Sequence, residues 1–340
     1  MGKQNLDWIE DGEKFAMIGL NIPADPDVGR LDLPDGFAAL TSTAFELPDH
    51  WREWLGTTRA EDVQSCNLFL LAKMRAKAPT VLDAESQLLQ ERVGHWFMGL
   101  TLVSKSVVFN EPFVVVGGRV GGEIDVRSFG VLDQPFGAIV ADDSPLSADR
   151  LREATQLAKN LETFNAGAWV DKHWRLLRCL AIYQDARCDR DICNRIHQFT
   201  RCIEGLISPK QGETTRQFKS RTELFVGPHH HDLIGDLYVA RSDFEHLHED
   251  RYLSQFDRET RIRLAKLEAE SEWIARSCLV RILLDPDLIA HFGSEEALNR
   301  FWSQSPGERV AIWGGPIDPL AALKGFNFDH VRNEELGARG

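Results

Sequence analysis

Arg241, His246 and His248 fall within one eight-residue stretch, Arg-Ser-Asp-Phe-Glu-His-Leu-His. An imidazole has an ordinary pKa near ~6.5, so it can take or release a proton at neutral pH. A guanidinium stays charged and presents a planar fork of donors that fits phosphoryl oxygens. Together they suit RNA cleavage, in which a ribose 2′-hydroxyl attacks the adjoining phosphodiester. General acid–base help of this kind is worth ~10²–10⁴ in rate, and one preorganised donor contributes roughly 3–4 kcal/mol. The expected products are a 2′,3′-cyclic phosphate and a 5′-hydroxyl. DNA, without the 2′-hydroxyl, is inert in such a scheme, and neither metal nor cofactor is called for.

Spacing alone is a weak signal. With 28 Arg and 11 His in 340 residues, about three such pairs arise by chance. Three occur: Arg241 to His246, Arg241 to His248, and Arg190 to His197. On a straight helix Arg241 and His246 are about 140° apart, and Arg241 and His248 about 20° apart. His246 therefore needs the helix to end or bend near Glu245; otherwise His248 is the alternative base. In the plainer reading Arg241 tethers Asp236 or Glu245, and both histidines belong to a solvated acidic helix end.

The elements around this stretch are helical from about residue 147 onward. Leu151, Ala154, Ala158 and Leu161 make one apolar stripe, broken at Gly167. Further helices are expected over 172–187, 191–207 and 213–226, with stops at Ser208-Pro209 and Gly227-Pro228. From His231, the residues Leu233, Leu237, Ala240, Phe244 and Leu247 recur at +4, +3, +4, +3, an apolar seam. A long helix over 258–284 follows, with Leu264, Leu267, Ile274, Cys278 and Ile282 inward, stopping at Asp285-Pro286. Short connections imply antiparallel neighbours in a bundle.

The first ~145 residues mix α and β. Residues 68–76 alternate as a strand with one wetter face, and Asp83 caps a helix carrying Leu89, Val93, Trp96, Leu100 and Val103. Phe113 to Val116 and Ile124 to Val126 read as paired strands around a glycine-rich turn, Gly-Gly-Arg-Val-Gly-Gly. That turn lacks the Lys-Ser/Thr of a phosphate-binding loop. The fold class expected is an α+β N-terminal domain (1–145), sensory or regulatory, followed by an all-α helical bundle (146–340).

The net charge is −13, with 43% hydrophobic and 27% charged residues. This composition excludes a disordered or collagen-like chain, and no apolar run is long enough for a membrane helix. With no apolar leader at the N-terminus, a cytoplasmic protein is expected. Residues 1–150 carry 13 basic and 23 acidic side chains, but 172–221 carry 11 basic and 5 acidic. Arg195, Arg201, Arg216, Lys219 and Arg221 in that basic segment are candidate contacts to an RNA backbone. The plainer reading is a solvated helix face. Six cysteines, with no Cys-x-x-Cys pair, read as reduced thiols at helix contacts, although four lie between 179 and 202 with His197 nearby. His229, His230, His231 and Asp232 read as a polar helix start, with metal binding the lesser alternative.

Residues 171–285 resemble a HEPN domain, specifically the ApeA-like group. The resemblance rests on Arg-Ile-His-Gln-Phe-Thr-Arg-Cys-Ile-Glu-Gly-Leu-Ile at 195–207, the helix at 213–226, Leu-Tyr-Val-Ala-Arg-Ser-Asp-Phe-Glu-His at 237–246, and the long closing helix. It covers about a third of the chain. It implies metal-independent RNA cleavage by a homodimer in which two Arg241–His246 pairs face each other, in a stress or phage-defence setting. It also suggests tRNA among candidate substrates and a regulatory or trigger protein among partners. The alternative is a non-catalytic HEPN dimerisation or partner-binding module, which the acidic N-terminal half favours.

Overall fold

Phe15, Ala16, Met17 and Ile18 leave no polar face, and such a run belongs in a strand covered on both sides. The computed structural model describes residues 7–105, 108, 110–136, 145–164, 169–210, 212–245 and 256–326. It places the run in β1 (Glu13–Leu20), buried throughout. The other strands are β2 (Arg30–Asp32), β3 (Phe37–Thr41), β4 (Leu68–Arg75), β5 (Phe113–Val120) and β6 (Glu123–Val131). They form one sheet in the order β2-β3-β4-β1-β5-β6, with every pairing antiparallel.

One face carries Phe15, Met17, Phe69, Leu71 and Val115, closed by Trp8 and by Trp51, Leu55 and Val63 of α1 (Trp51–Ser65). Trp51 Nε1 donates to the Ile124 carbonyl at 2.6 Å and so fixes the start of α1 on β6. The other face meets α2 (Ala84–Val103), where Trp96 packs edge-on against Phe37 at 5.2 Å. Leu89, Val93, Trp96, Leu100 and Val103 are all buried, as their spacing predicts. Because both faces are covered, the wetter face expected over 68–76 is confined to its end. Phe69 and Leu71 are as buried as Leu68 and Leu70, and the strand opens only from Lys73.

Lys14 points toward the start of α2, buried, with Nζ 2.7 Å from Asp83 and 3.1 Å from Glu85. Burial alone would lower its pKa; the hydrogen bonds to Asp83 and Glu85 outweigh that and raise it. In the β5–β6 hairpin Val120 pairs with Glu123, which leaves Gly121-Gly122 as a two-residue turn. Their φ values of +61° and +92° are those the tight mirror-image turn needs.

Two units result. Residues through Pro135 and those of α3 (Ala148–Phe164) as far as Glu162 form the first, and Phe136 and the residues from Thr163 onward the second. Arg92 pairs with Glu162 at 3.0 Å and Lys159 with Asp35 at 2.6 Å, so α3 packs with the sheet. The helical period marked α3 correctly as a helix but does not say which core a helix covers.

The second unit is mostly helical: α4 (Trp169–Cys188), α5 (Ile192–Ile207), α6 (Thr214–Val226), α7 (His231–Glu245) and α8 (Arg258–Leu284). The layout is thus an antiparallel-sheet region with helices followed by a helical part. Past Asp285 come α9 (Pro286–Phe292), α10 (Glu295–Ser303) and α11 (Pro306–Trp313). Phe225 of α6 packs among their rings, 4.5 Å from Trp313 and 6.1 Å from Trp302. Among the described residues no helix is long and apolar enough to cross a membrane.

Helix α8 is buried nearly all round. Its expected inward residues are buried, but so are Glu268, Glu270, Ser271, Glu272 and Arg276. Glu272 accepts from the Tyr183 hydroxyl at 2.8 Å and from Arg276 Nε at 2.7 Å, and Arg187 donates to the same hydroxyl at 3.0 Å. Arg195 Nε donates to Glu268 at 2.6 Å. Removing one member of such a network leaves buried opposite charge, which costs roughly 3–5 kcal/mol. Glu272→Ala is therefore expected to lower unfolding stability in urea by about that amount, with α4, α5 and α8 loosening together.

Glu270 behaves differently. Burial pushes its carboxyl up to about 7, against the charge of Lys266 and with Asp236 adding to the rise. A carboxyl raised in the folded state stabilises fully below its unfolded value, and that contribution is lost as pH rises through about 7. Glu270→Gln should be more stable than wild type at about pH 8, by up to roughly 3 kcal/mol, with no gain near pH 4.5. Thermal melts at the two pH values check this.

Candidate active site

Asp191 caps α5 by accepting from the Asn194 amide. The helix turns Ile192, Ile196, Phe199 and Ile203 inward, which sets His197, Arg201 and Glu204 on another face at i, i+4 and i+7. Helix α7 packs on α5 and brings Arg241 to Glu204, Nη2 to Oε2 at 3.3 Å. Arg241 Nη1 pairs with Glu245 one turn further along α7. Its Nε is buried without a hydrogen-bond partner, and the side chain is 18% exposed. One carboxylate from another helix and one from its own hold the guanidinium in place. This matches the plainer expectation of a tethering arginine for Glu245, with Glu204 as a second tether; Asp236 is not a partner. His246 and His248 lie outside the described residues.

His197 is the imidazole near Arg241 among the described residues. Its Nε2 is buried without a hydrogen-bond partner. Burial lowers its pKa, the charges of Arg201 and Arg241 lower it further, and Glu245 opposes them. His197 is thus held neutral near pH 7. In the sequence it stands out as one of three chance-level Arg-to-His spacings and as the histidine near four cysteines; projecting α5 as a wheel with Glu204 marks its face.

The five basic residues expected to grip RNA do not share one surface. Arg195 is buried, tied to Glu268 and to the Asp189 carbonyl at 2.8 Å, so it fixes the start of α5 and cannot reach a phosphate. Arg221 donates to the Ile207 and Ser208 carbonyls, each at 2.7 Å, and its guanidinium lies 5.1 Å from the Trp302 ring. It therefore closes the end of α5. Arg216 is exposed and pairs with Glu213 at 2.9 Å. Lys219 lies against Gly235 of α7. Arg201 alone shares the face of Glu204, bonding only Gln198, at 3.3 Å. Charge counted along sequence does not distinguish capping arginines from surface ones.

Arg201 and Glu204 also line a groove between α4 and α5 of about 440 Å³, with Trp174, Arg175 and Arg178 across from them. The helices approach closely because Gly205 lies against Cys179 Sγ, where a Cβ would collide. Cys179, Cys202 and Cys278 are buried free thiols; a hydrogen bond with Cys179 and burial keep Cys202 protonated. His229 and His231 are exposed, and His231 pairs with Glu223. Among the described residues no group of three or more His, Cys, Asp or Glu is placed to hold a metal ion.

The His197 environment can be read directly by NMR. Its titration midpoint should lie below the ordinary ~6.5, and Arg201→Gln should raise it by removing a like charge. A midpoint above that value would show that the burial described here is wrong. Compared with known proteins, the chain matches no family model, no curated protein and no solved structure.

Proposed function

We propose that the helical unit is a HEPN-like bundle and that the chain is a metal-independent endoribonuclease acting as a homodimer. The observation that carries this reading is the double tether of Arg241. Glu204, fixed on α5, orients the guanidinium through Nη2, while Nη1 is held by Glu245, itself 40% exposed. Glu245 is the more solvent-accessible of the two tethers, and solvent screens its pairing with Arg241 more than that of Glu204. A phosphodiester can therefore replace Glu245 on Nη1 without releasing Glu204.

In that scheme His246, or His248 as the alternative, takes the proton of the ribose 2′-hydroxyl. The 2′-oxygen bonds to phosphorus, Arg241 stabilises the charge on the phosphoryl oxygens, and the P–O5′ bond breaks as the departing oxygen gains a proton. The N-terminal unit is assigned a regulatory role, and tRNA is one candidate substrate.

The same double tether also favours a second reading. Two carboxylates already neutralise Arg241, as expected of an arginine that only ties α5 to α7 in a partner-binding module.

One experiment separates them. Purified full chain is incubated with total RNA in EDTA, and cleavage is compared for wild type, Arg241→Ala, His246→Ala and His248→Ala. The nuclease reading expects cyclic-phosphate ends from wild type, a loss of about 10²-fold or more for Arg241→Ala, and a similar loss for one histidine variant. Equal cleavage by all four removes it. Intact RNA, together with a dimer by light scattering, favours the second reading.

A further inference from the structure

The α4–α5 groove carries cations that have no ion pair among the described residues. Its lining holds three arginines and two glutamates. Both acids are already engaged, Glu295 with Arg175 at 3.1 Å and Glu204 with Arg241 at 3.3 Å. Arg201 bonds only the neutral Gln198 side chain, and Arg178, exposed, has no ion pair among the described residues. Among the described residues, two guanidinium groups therefore line one cavity without a carboxylate partner of their own. The hydroxyls of Ser208 and Thr214 line the same cavity. At its rim Trp174 is 47% exposed, and the Arg175 guanidinium sits 4.8 Å from its ring centroid. Arg175 covers part of this indole, and bases stack on such rings sequence-tolerantly. The volume falls within the range of small-ligand sites.

We propose that this groove is a nucleotide site, in which Arg178 and Arg201 bind a phosphate or pyrophosphate group and Trp174 stacks on the attached base. The proposal does not rest on RNA cleavage by Arg241. The shared chemistry, a phosphate joined to a planar base, has two sources: a free nucleotide, or the 5′-phosphorylated end of an RNA.

Calorimetric titration of the full chain with ADP, adenosine, pyrophosphate and a tetraribonucleotide with or without a 5′-phosphate tests it. ADP should bind at least about tenfold more tightly than adenosine, and more weakly as salt rises, because charge-assisted bonds to phosphate carry the affinity. Arg178→Glu should weaken ADP and pyrophosphate alike by about tenfold or more. Trp174→Ala should weaken ADP several-fold and leave pyrophosphate unchanged. Both side chains are exposed, so unchanged melting curves establish that the variants fold. If the phosphorylated tetranucleotide binds tighter than ADP, the RNA end is the source; the reverse order assigns the free nucleotide. No binding of any phosphate-bearing probe up to about 5 mM, or wild-type affinity in Arg178→Glu, overturns the site. Wild-type ADP affinity in Trp174→Ala overturns its base-stacking half.

Discussion

The helical unit depends on carboxylates buried along one helix. Glu268 and Glu272 of α8 lie in the interior, where an isolated charge would be strongly disfavoured; an arginine from α5 satisfies Glu268, and Arg276 one turn along α8 together with groups from α4 satisfies Glu272. Glu268 takes Arg195 from the start of α5. Glu272 takes Tyr183 directly and stands within 3.8 Å of Arg187, both from α4. Burial would raise the Glu272 carboxyl, but Arg276 and Arg187 hold it low. Oil-like packing tolerates rotation of a helix about its axis; directed bonds to a fixed carboxylate do not. The network thus sets which faces of α4 and α5 turn outward, and with them where His197, Arg201, Glu204 and Arg178 point.

This dependence also explains what could be read from the sequence. Helices α4 to α8 and α2 were legible because their apolar residues repeat with helical period and their ends carry Asp, Gly or Pro. Glu268, Glu272 and Arg276 were not, since a charged residue on a periodic helix reads as solvated until its neighbours are known. Arg195 and Arg221 fix the ends of α5 instead of meeting solvent, and position in a basic segment looks alike in both cases. Residues 286–313 carry their signal in aromatics: Phe292, Trp302 and Trp313 pack against Phe225, and Phe301 against Phe292, which no local period announces.

Of the candidate site, Arg241 is legible from its residue type, whereas Glu204 carries no signal of its own within the run 195–207. Their pairing joins positions 37 apart in sequence, which no spacing rule spans. The α4–α5 groove was hidden more deeply, because it depends on the close approach at Gly205 as much as on its arginines.

In the sheet unit, a single atom links two levels of structure. Asp83 Oδ1 accepts from the amides of Glu85 and Ser86 and from the ammonium of Lys14. The same lone pairs thus nucleate α2 and shield a cation within β1. Lys14 in turn holds the Asp83 carboxyl below the usual carboxylate range. Acid strong enough to protonate Asp83 would weaken the cap of α2 and take from Lys14 one of its two carboxylate partners in the same event. Secondary and tertiary order at this corner are therefore coupled through one oxygen, and acid weakens both at once.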